Sequence, residues 1–328
     1  MKNNIKVSVC IPVYKVEKYI ARCVRSLMEQ TLSGLELIFV NDATPDNSIQ
    51  VLEETLKEYH RDDVVVKIIH HEKNMGVAQT RMDAMNAVSG EYFIHCDPDD
   101  YVDLEMYRTM YDTLRQTEAD MVYCDFNFLH PDGEKEYKSE KACSEPWILN
   151  REILDQHARC WGVLWNKMWK SCYKTNIKCP EGISFSEDVI MSFQMLERCT
   201  QIVHIPKPFY NYCQLESGIC QTYTEDKLHL RIRILFYLRD ISILKKIEVF
   251  IPAWQQFMIM CIRAKKSYGK VLFKNIPEKM KKMLTQNIYL SSMRFDLLLI
   301  KMAFISYDLT IFLYKIYGWI RTEIFRRK

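Results

Sequence analysis

Residues Gly90–Asp100 read Gly-Glu-Tyr-Phe-Ile-His-Cys-Asp-Pro-Asp-Asp, a short β-rich run that ends in three carboxylates. The run Glu91–Cys96 predicts a buried strand, and Gly90 predicts the end of the helix before it. Three carboxylates at the end of one strand repel each other at neutral pH, and a divalent cation or a firm set of hydrogen-bond donors relieves that repulsion. The hard oxygens of Asp97 and Asp99 suit Mg²⁺ or Mn²⁺.

Strand-like and helix-like patterns alternate on both sides of this stretch, over the first 125 residues. The strand-like runs are Ile5–Val13, Leu35–Val40, Val64–Ile69 and Asp120–Phe126, and the segments with helical apolar spacing include Val16–Gln30, Val77–Val88 and Leu104–Leu114. Such alternation is typical of a parallel sheet covered by helices. We therefore predict an α/β fold, a Rossmann-like and mostly parallel sheet with helices on both faces, followed by a helical C-terminal region.

Ligands of such sheets bind beyond the carboxyl ends of the strands, so the polar residues that follow each strand are the candidates. Tyr14 follows the first predicted strand, Asn41–Asp42 the second and His70–His71 the third. The sequence has neither a G-x-x-x-x-G-K-[ST] loop nor a G-x-G-x-x-G motif after a strand. A nucleotide bound at this edge would therefore need its diphosphate charge met by a metal and by scattered cations.

Several segments occur in the order and at the spacing of one enzyme family. They are Ser8-Val-Cys-Ile-Pro-Val-Tyr14, Phe39-Val-Asn-Asp42, Asn74-Met-Gly-Val-Ala-Gln-Thr-Arg81, Gly90–Asp100, Leu164-Trp-Asn-Lys167 and Phe185-Ser-Glu-Asp-Val189. Together they resemble the inverting family 2 glycosyltransferases of the GT-A fold, over roughly residues 5–220. The resemblance implies metal-dependent transfer of a hexosyl or N-acetylhexosaminyl group from a nucleoside-diphosphate sugar, with UDP as the expected nucleotide. The acceptor it implies is a hydroxyl of a growing, lipid-linked glycan of the capsule, exopolysaccharide or O-antigen type.

The resemblance also implies which residues bind the donor. The nucleoside pocket would be lined by the end of the first strand, at Pro12, Val13 and Tyr14. Asp42 would accept a hydrogen bond from the base, and Arg81 would lie near the diphosphate. Asp97 and Asp99 would hold Mn²⁺ or Mg²⁺, with Asp99 as the direct ligand and Asp97 nearer the ribose.

On the acceptor side, the resemblance implies that Asp188 is the catalytic base. It would take the proton from the acceptor hydroxyl as that oxygen attacks the sugar. Glu187 would orient the acceptor or hold the pocket. Trp165 and Lys167 would shape the acceptor side, and Asp100 is a further pocket candidate.

Plainer interpretations of the same residues remain open at this stage. Asp97–Asp100 could be a turn that caps the helix beginning near Leu104. Glu187 and Asp188 could merely favour a helix N-terminus electrostatically. His70–His71 are interpreted as part of a solvated loop rather than as metal ligands.

Two other functions also stay open. A nucleotidyl-transferring enzyme of similar architecture is disfavoured, because Pro12-Val-Tyr14 follows the first strand where such an enzyme has a glycine-rich, Arg-bearing loop. The alternative outside catalysis is a silent sugar-nucleotide-binding or scaffold subunit of a glycan-assembly complex.

Composition and charge divide the chain into two parts. The 328 residues are 48% hydrophobic and 27% charged, which excludes disorder as a description of the whole. Residues 225–328 carry 21 Lys/Arg against 8 Asp/Glu, a charge of +13, whereas residues 1–224 carry −10. We predict a GT-A domain over residues 1–224 and a basic helical region over residues 225–328. The 12 cysteines are scattered singly and no signal peptide is recognised, so we expect a cytoplasmic protein with free thiols.

The end of the chain predicts an amphipathic helix. Arg294, Lys301, Asp308 and Lys315 recur every seven residues, almost two helical turns, and so form a narrow polar stripe. A wide apolar face with a cationic end is typical of a helix lying on an anionic membrane leaflet. Packing on its own domain or on a partner subunit is the alternative. Because Lys and Arg are interleaved with so much apolar surface, we expect peripheral binding to the inner face of the cell membrane and no nucleic-acid partner.

Overall fold

The computed structural model describes residues 5–154, 162–180, 183, 186–215, 225–244 and 294–315, with a few single positions between 249 and 285. The strands are β1 (Val7–Val13), β2 (Leu35–Asn41), β3 (Val64–His70), β4 (Tyr92–His95), β5 (Tyr101–Val102), β6 (Met121–Leu129), β7 (Lys135–Lys138), β8 (Lys167–Lys170) and β9 (Ile202–Cys213). The helices are α1 (Ile20–Met28), α2 (Ser48–Leu56), α3 (Val77–Ala87), α4 (Met106–Thr117), α5 (Pro146–Leu154), α6 (Glu187–Leu196), α7 (Glu225–Ile241) and α8 (Arg294–Ile305), with a 3₁₀ turn at Ser171–Lys174.

The strands join in one sheet of nine, in the order β3-β2-β1-β4-β8-β6-β9-β5, with β7 beside β6. β1 pairs in parallel with β2 and β4, and β3 is parallel to β2. This half has the predicted βαβα arrangement. In the other half the sheet is mixed, because β8 lies antiparallel between β4 and β6. The predicted fifth strand is β6, which is therefore not a direct neighbour of β4.

Helices cover both faces of the sheet, as predicted. Val7, Val9 and Ile11 are alternate residues of β1, so their side chains share one face of the sheet. There they pack in a buried cluster with residues of α1, α2 and α4. Cys10 points to the opposite face, into a second cluster formed with residues of α3, α5 and α6. β2 is mostly apolar because both of its faces are buried, and its one charged residue, Glu36, is paired with Lys67 Nζ at 2.6 Å.

The chain divides into two compact units, one of residues 1–153 and 159–234 and the other of residues 154–158 and 235–328. The sheet lies in the first unit. In the second unit, α8 is followed by a helical stretch over residues 307–315, with an interruption at Ser306. No helix in the described part of the chain is long and apolar enough to cross a membrane. Phe185 and the closing segment beyond residue 315, both used in the sequence predictions, lie outside the described residues.

Candidate active site

The carboxyl ends of β1, β2, β3 and β4 lie side by side, since these strands are parallel neighbours. The backbone continues the pairing just past the strands: Asp42 N donates to Val13 O at 3.0 Å, and Cys96 N donates to Cys10 O at 3.0 Å. The next backbone link joins His71 N to Asn41 O at 2.9 Å. The loops that carry the predicted donor-binding residues therefore share one edge of the sheet.

Asp42 is buried and its carboxylate is held by three donors. Oδ1 accepts Met75 N at 2.6 Å and the Nδ1–H of His71 at 2.8 Å, and Oδ2 accepts Gly76 N at 2.9 Å. Gly76 has a φ of +86°, a conformation that glycine adopts without steric cost, so the chain turns here directly after the N–H that Asp42 accepts. Asp42 thus joins the end of β2 to the start of α3.

The predicted nucleoside-pocket residues differ in what they present at this edge. The Val13 side chain is fully buried in the core, so only its backbone reaches the edge. The Tyr14 ring is 40% exposed, and Lys15 Nζ lies over it at 5.2 Å from the ring centroid. Pro12 is half-buried. Tyr14 is therefore the side chain of this set that is available to a ligand.

Arg81 connects three segments that the sequence analysis had assigned to one site. From α3, its Nη2 donates to Asp97 Oδ1 at 2.8 Å and its Nε donates to Glu187 Oε1 at 3.2 Å. The residue is only 6% exposed. Its Nη1 has no hydrogen-bond partner among the residues that the structure describes. A buried guanidinium with unused donors is unfavourable unless a ligand or water completes it.

In the acidic loop after β4, Asp100 has a different environment from the other two carboxylates, Asp97 and Asp99. Asp100 is buried and accepts the Tyr210 hydroxyl at 2.8 Å and Cys213 N at 2.7 Å, so it ties the loop to β9. Tyr210 also accepts Asp97 N at 3.0 Å. Burial and the charges of Asp99 and Asp97 raise the pKa of Asp100 well above its usual range.

Asp97 and Asp99 remain as the carboxylates that a cation could reach. Burial and the charge of Asp97 raise the pKa of Asp99 to about 6, which means that the nearby cations do not fully offset the cost of ionising Asp99. A divalent cation would supply that charge, so the two residues fit a metal. The described residues contain no group of three or more acidic, His or Cys side chains arranged for a metal. The ion would therefore need further ligands from a bound diphosphate and water, which is the usual situation for Mg²⁺.

Asp188 lies in the first turn of α6, directly after Glu187. Burial and the charge of Glu187 raise the pKa of Asp188 to about 7, against the opposing effect of Arg81. The charge of Asp97 also raises it, so the acidic loop and Asp188 act on each other electrostatically. A carboxylate with a pKa near neutrality is suited to accept a proton from a hydroxyl.

Trp165 and Lys167, predicted to shape the acceptor side, are both buried rather than exposed at the surface. Trp165 is buried and stacks on Tyr210, with ring centroids 4.1 Å apart and planes 14° apart. Lys167 is buried, and its Nζ donates to Val163 O at 2.9 Å and to Asn166 Oδ1 at 2.7 Å. Their side chains support the floor of the site through Tyr210 and the segment around β8.

Two residues near the site were not identified from the sequence. Arg22 of α1 donates to Asp99 O at 2.7 Å and to Cys213 Sγ at 3.1 Å, which holds the acidic loop from a third direction. His71 was interpreted as part of a solvated loop, and this is wrong, because its side chain is 11% exposed and pairs with Asp42. His70, the preceding residue, is exposed as predicted. The difference could have been predicted from the strand alternation, because consecutive side chains such as those of His70 and His71 point to opposite sides of a strand.

Comparison with known proteins gives a consistent result. The family model described as glycosyl transferase family 2 matches residues 8–166. The chain is 28% identical over 223 residues to the uncharacterized glycosyltransferase EpsJ of Bacillus subtilis (strain 168), a match over 66% of this chain and 63% of that protein. It is 25% identical over 265 residues to the minor teichoic acid biosynthesis protein GgaB of the same organism, over 78% of this chain and 29% of that protein. This chain thus spans less than two thirds of the length of either relative.

The fold is also found among solved structures. The crystal structure of S. aureus TarS 1–349 in complex with UDP-GlcNAc superposes with a TM-score of 0.62 at 17% identity, over 86% of this chain and 79% of that one. At this identity the likeness shows the fold, and it confirms the predicted GT-A class.

Proposed function

Residues 8–166 belong to glycosyl transferase family 2, and from this premise we propose that the chain transfers a sugar, with inversion, from a UDP-sugar to a hydroxyl of a growing cell-surface glycan. The observation that carries the proposal is the position of Arg81, which hydrogen-bonds Asp97 on one side and Glu187 on the other. One buried cation thus joins the predicted donor-binding loop to the helix turn that holds the predicted base, Asp188.

The nucleotide occupies the edge formed by the ends of β1 and β2. Tyr14 offers an exposed ring for stacking on the base, and Asp42 offers a carboxylate for a hydrogen bond to it. The S. aureus TarS structures of the same fold, in complex with UDP-GlcNAc and with UDP, support a uridine nucleotide here.

The diphosphate lies against Arg81 and the acidic loop. The Nη1 of Arg81, which has no partner within the described ranges, is a buried donor that a phosphate oxygen would complete. Asp97 and Asp99 would hold Mn²⁺ or Mg²⁺. When bound, the metal supplies Lewis-acid stabilisation of the negative charge on the leaving nucleoside diphosphate.

The acceptor is activated by Asp188. Its carboxylate takes the proton of the attacking hydroxyl while the new bond forms between that oxygen and the anomeric carbon. The bond from the anomeric carbon to the phosphate oxygen breaks, and the diphosphate leaves with its electron pair. Glu187 keeps Arg81 in place through its 3.2 Å hydrogen bond, so that Asp188 and the donor site stay in register.

The acceptor is a lipid-linked cell-wall or capsular glycan. A relative named as a minor teichoic acid biosynthesis protein supports the cell-wall assignment. Such acceptors are held at a membrane, and the C-terminal helices carry an exposed apolar surface suited to membrane binding. Ile305 is 87% exposed and Phe312 58% exposed, with Leu298 and Leu309 exposed at the same helical spacing.

Cations border this apolar surface. Lys301 and Lys315 are exposed, as the predicted polar stripe requires. The break at Ser306 does not end the helical bonding, since Ser306 N donates to Met302 O at 2.9 Å and Thr310 N donates to Ser306 O at 3.1 Å. An apolar surface flanked by lysines favours peripheral binding to an anionic leaflet on the cytoplasmic side.

A panel of nucleotide sugars, incubated with the protein and Mn²⁺ or EDTA, tests the central proposal. We expect metal-dependent release of UDP from one or a few UDP-sugars, and faster release with a suitable glycan acceptor. Binding of UDP-sugars without turnover under all conditions would instead indicate a silent sugar-nucleotide-binding subunit. Turnover that is fully retained in EDTA would exclude the metal requirement.

A further inference from the structure

His71 lies between two carboxylates at the edge of the proposed nucleotide site. Its Nδ1 lies 2.8 Å from Asp42 Oδ1, and its Nε2 lies 3.1 Å from Asp83 Oδ2. Since a carboxylate only accepts hydrogen bonds, the Nδ1 of His71 carries the hydrogen that faces Asp42. Nε2 forms no hydrogen bond within the described part of the chain, so the hydrogen bond to Asp42 is the one that orients the ring.

Asp83 is itself held in place. It lies one turn after Gln79 on α3, and the Gln79 amide donates to both of its carboxylate oxygens at 3.0 Å. Asp83 is thus fixed close to Nε2, on the side of the imidazole away from Asp42. The sequence of contacts runs from Gln79 through Asp83 and His71 to Asp42.

The contacts leave the two oxygens of Asp42 in different states. Oδ1 accepts two hydrogen bonds, from Met75 N at 2.6 Å and from His71 at 2.8 Å, which uses both of its lone-pair directions. Within the described part of the chain, Oδ2 accepts one, from Gly76 N at 2.9 Å. One lone pair of Oδ2 is left for a ligand, and its direction is set by the donors on Oδ1.

We propose that His71 is a positioning residue that orients Asp42 to select a nucleobase carrying an N–H donor at ring position 3. This rests on the proposed function, in which Asp42 contacts the base. Uracil carries a hydrogen on N3, whereas cytosine has an acceptor there. The oriented lone pair of Oδ2 accepts from the former and repels the latter. Without His71, the carboxylate keeps its backbone donors Met75 N and Gly76 N, but one lone pair of Oδ1 loses its partner, and the carboxylate is held less firmly.

The test measures affinities for UDP and CDP by calorimetry, with Mn²⁺ present, for the full chain and its variants. His71→Phe removes the donor to Asp42. His71→Asn keeps one, because the Asn Nδ2 lies about where the His Nδ1 lies. His70→Phe is the matched control, since His70 is exposed and hydrogen-bonds Asn41 instead of Asp42.

We expect the wild type to prefer UDP to CDP, and His71→Phe to reduce that preference by about tenfold or more, the effect of one charge-assisted hydrogen bond. His71→Asn and His70→Phe should stay within about threefold of the wild type. A preference that His71→Phe leaves unchanged would overturn the role of His71, even with the proposed function intact. Absence of any UDP preference in the wild type would overturn base recognition by Asp42, and the role of His71 with it.

Asp83→Asn provides an independent variant if His71→Phe does not fold, which thermal denaturation will reveal. It replaces a half-buried carboxylate with an amide of the same shape and leaves Asp42 and His71 in place. We expect a partial loss of the UDP preference, about threefold. Two results together would contradict the proposed chain of contacts. The first is a UDP preference that Asp83→Asn leaves unchanged. The second is a UDP preference that His71→Asn reduces as much as the loss expected for His71→Phe.

Discussion

The Nε of Arg81 donates to Oε1 of Glu187 at 3.2 Å, and so joins helix α3 to the first turn of α6 across 106 residues of sequence. Because Arg81 also hydrogen-bonds the acidic loop, the proposed donor side and acceptor side of the site share one cation.

Asp188→Asn should reduce sugar transfer by about a hundredfold or more, because the amide cannot accept the proton from the acceptor hydroxyl. UDP binding should stay within about threefold of the wild type, since Asp188 does not contact the nucleotide in the proposed mechanism. Initial rates and calorimetry on the same preparations separate the two effects. Asp112→Asn, an exposed change of the same kind on α4, is the control. Transfer that stays above a tenth of the wild-type rate would remove Asp188 from its proposed role.

Asp99→Ala should weaken UDP binding in the presence of Mn²⁺ and leave the weaker binding in EDTA nearly unchanged. The reason is that Asp99 would contribute to the nucleotide affinity through the metal. Binding is measured with and without Mn²⁺ for the variant and for Glu54→Ala, an exposed carboxylate on α2. Equal losses in Mn²⁺ and in EDTA would indicate a structural role for Asp99 instead.

The rate of transfer should fall as the pH is lowered below about 7, because burial and the charge of Glu187 raise the pKa of Asp188 to about 7 and the base must be deprotonated. Glu187→Gln removes one of the charges that raise this pKa. The midpoint of the acid limb of kcat/KM should therefore move to lower pH. The positive charge of Arg81, which is no longer offset by Glu187, also lowers the pKa of Asp188. A midpoint that rises in Glu187→Gln would contradict this account.

Asp120→Asn should lower the free energy of unfolding by about 1–3 kcal/mol at pH 7, because Asp120 accepts hydrogen bonds from Thr200 N, Thr200 Oγ1 and Lys170 Nζ at 2.7, 2.8 and 3.0 Å. Burial opposes its ionisation, but these donors prevail and lower the pKa of Asp120 to about 2. A lowered pKa stabilises the fold above the unfolded value of about 4, and this contribution is lost as the pH falls toward 2.

Urea unfolding at pH 7 and at about pH 3 measures the difference between Asp120→Asn and the wild type. The difference should shrink at the lower pH. Asp62→Asn, at an exposed position, should show no such dependence. An equal difference at both pH values would mean that the ionised form of Asp120 is not what stabilises the fold.

Replacing Leu309 and Phe312 with serine should reduce sedimentation with vesicles rich in anionic phosphatidylglycerol, because both side chains are more than half exposed and would enter the interface. Deletion of residues 290–328, followed by fractionation of cells, tests the same surface in vivo. A truncated protein that remains with the membrane fraction would count against this role of the tail. The substitution Leu244→Ser, in another exposed position, is the control for general loss of apolar surface.

The parallel half of the fold could be predicted from the sequence, because each strand there is a short, mostly apolar run followed by a segment with helical apolar spacing. β8 could not be predicted from the sequence. It has only four residues, Lys167–Lys170, two of which are lysines, and this is too short a segment to show a strand periodicity. Their place between β4 and β6 depends on pairing distant in sequence. The sheet is mixed for this reason.

The same limit applies to the site. Asp97 and Asp99 follow a strand directly, and Arg81 lies near the start of α3, so position alone predicts that they meet at one edge. The burial of Asp100 depends on Tyr210, 110 residues later, which local sequence does not reveal. His71 was missed for the opposite reason, because two adjacent histidines were assigned one environment although they face opposite sides of the strand end.

The attachment of Asp100 to Tyr210 and Cys213 has a consequence for the order of events during synthesis. The ribosome releases the acidic loop long before it makes β9, so the loop lacks its anchor until roughly a hundred further residues have emerged. A nascent chain that ends at residue 166, where the family match ends, carries both proposed metal-binding carboxylates but lacks Tyr210 and Cys213, the anchors of Asp100. The acidic loop therefore gains its attachment to the far half of the sheet only when the last strand adds on.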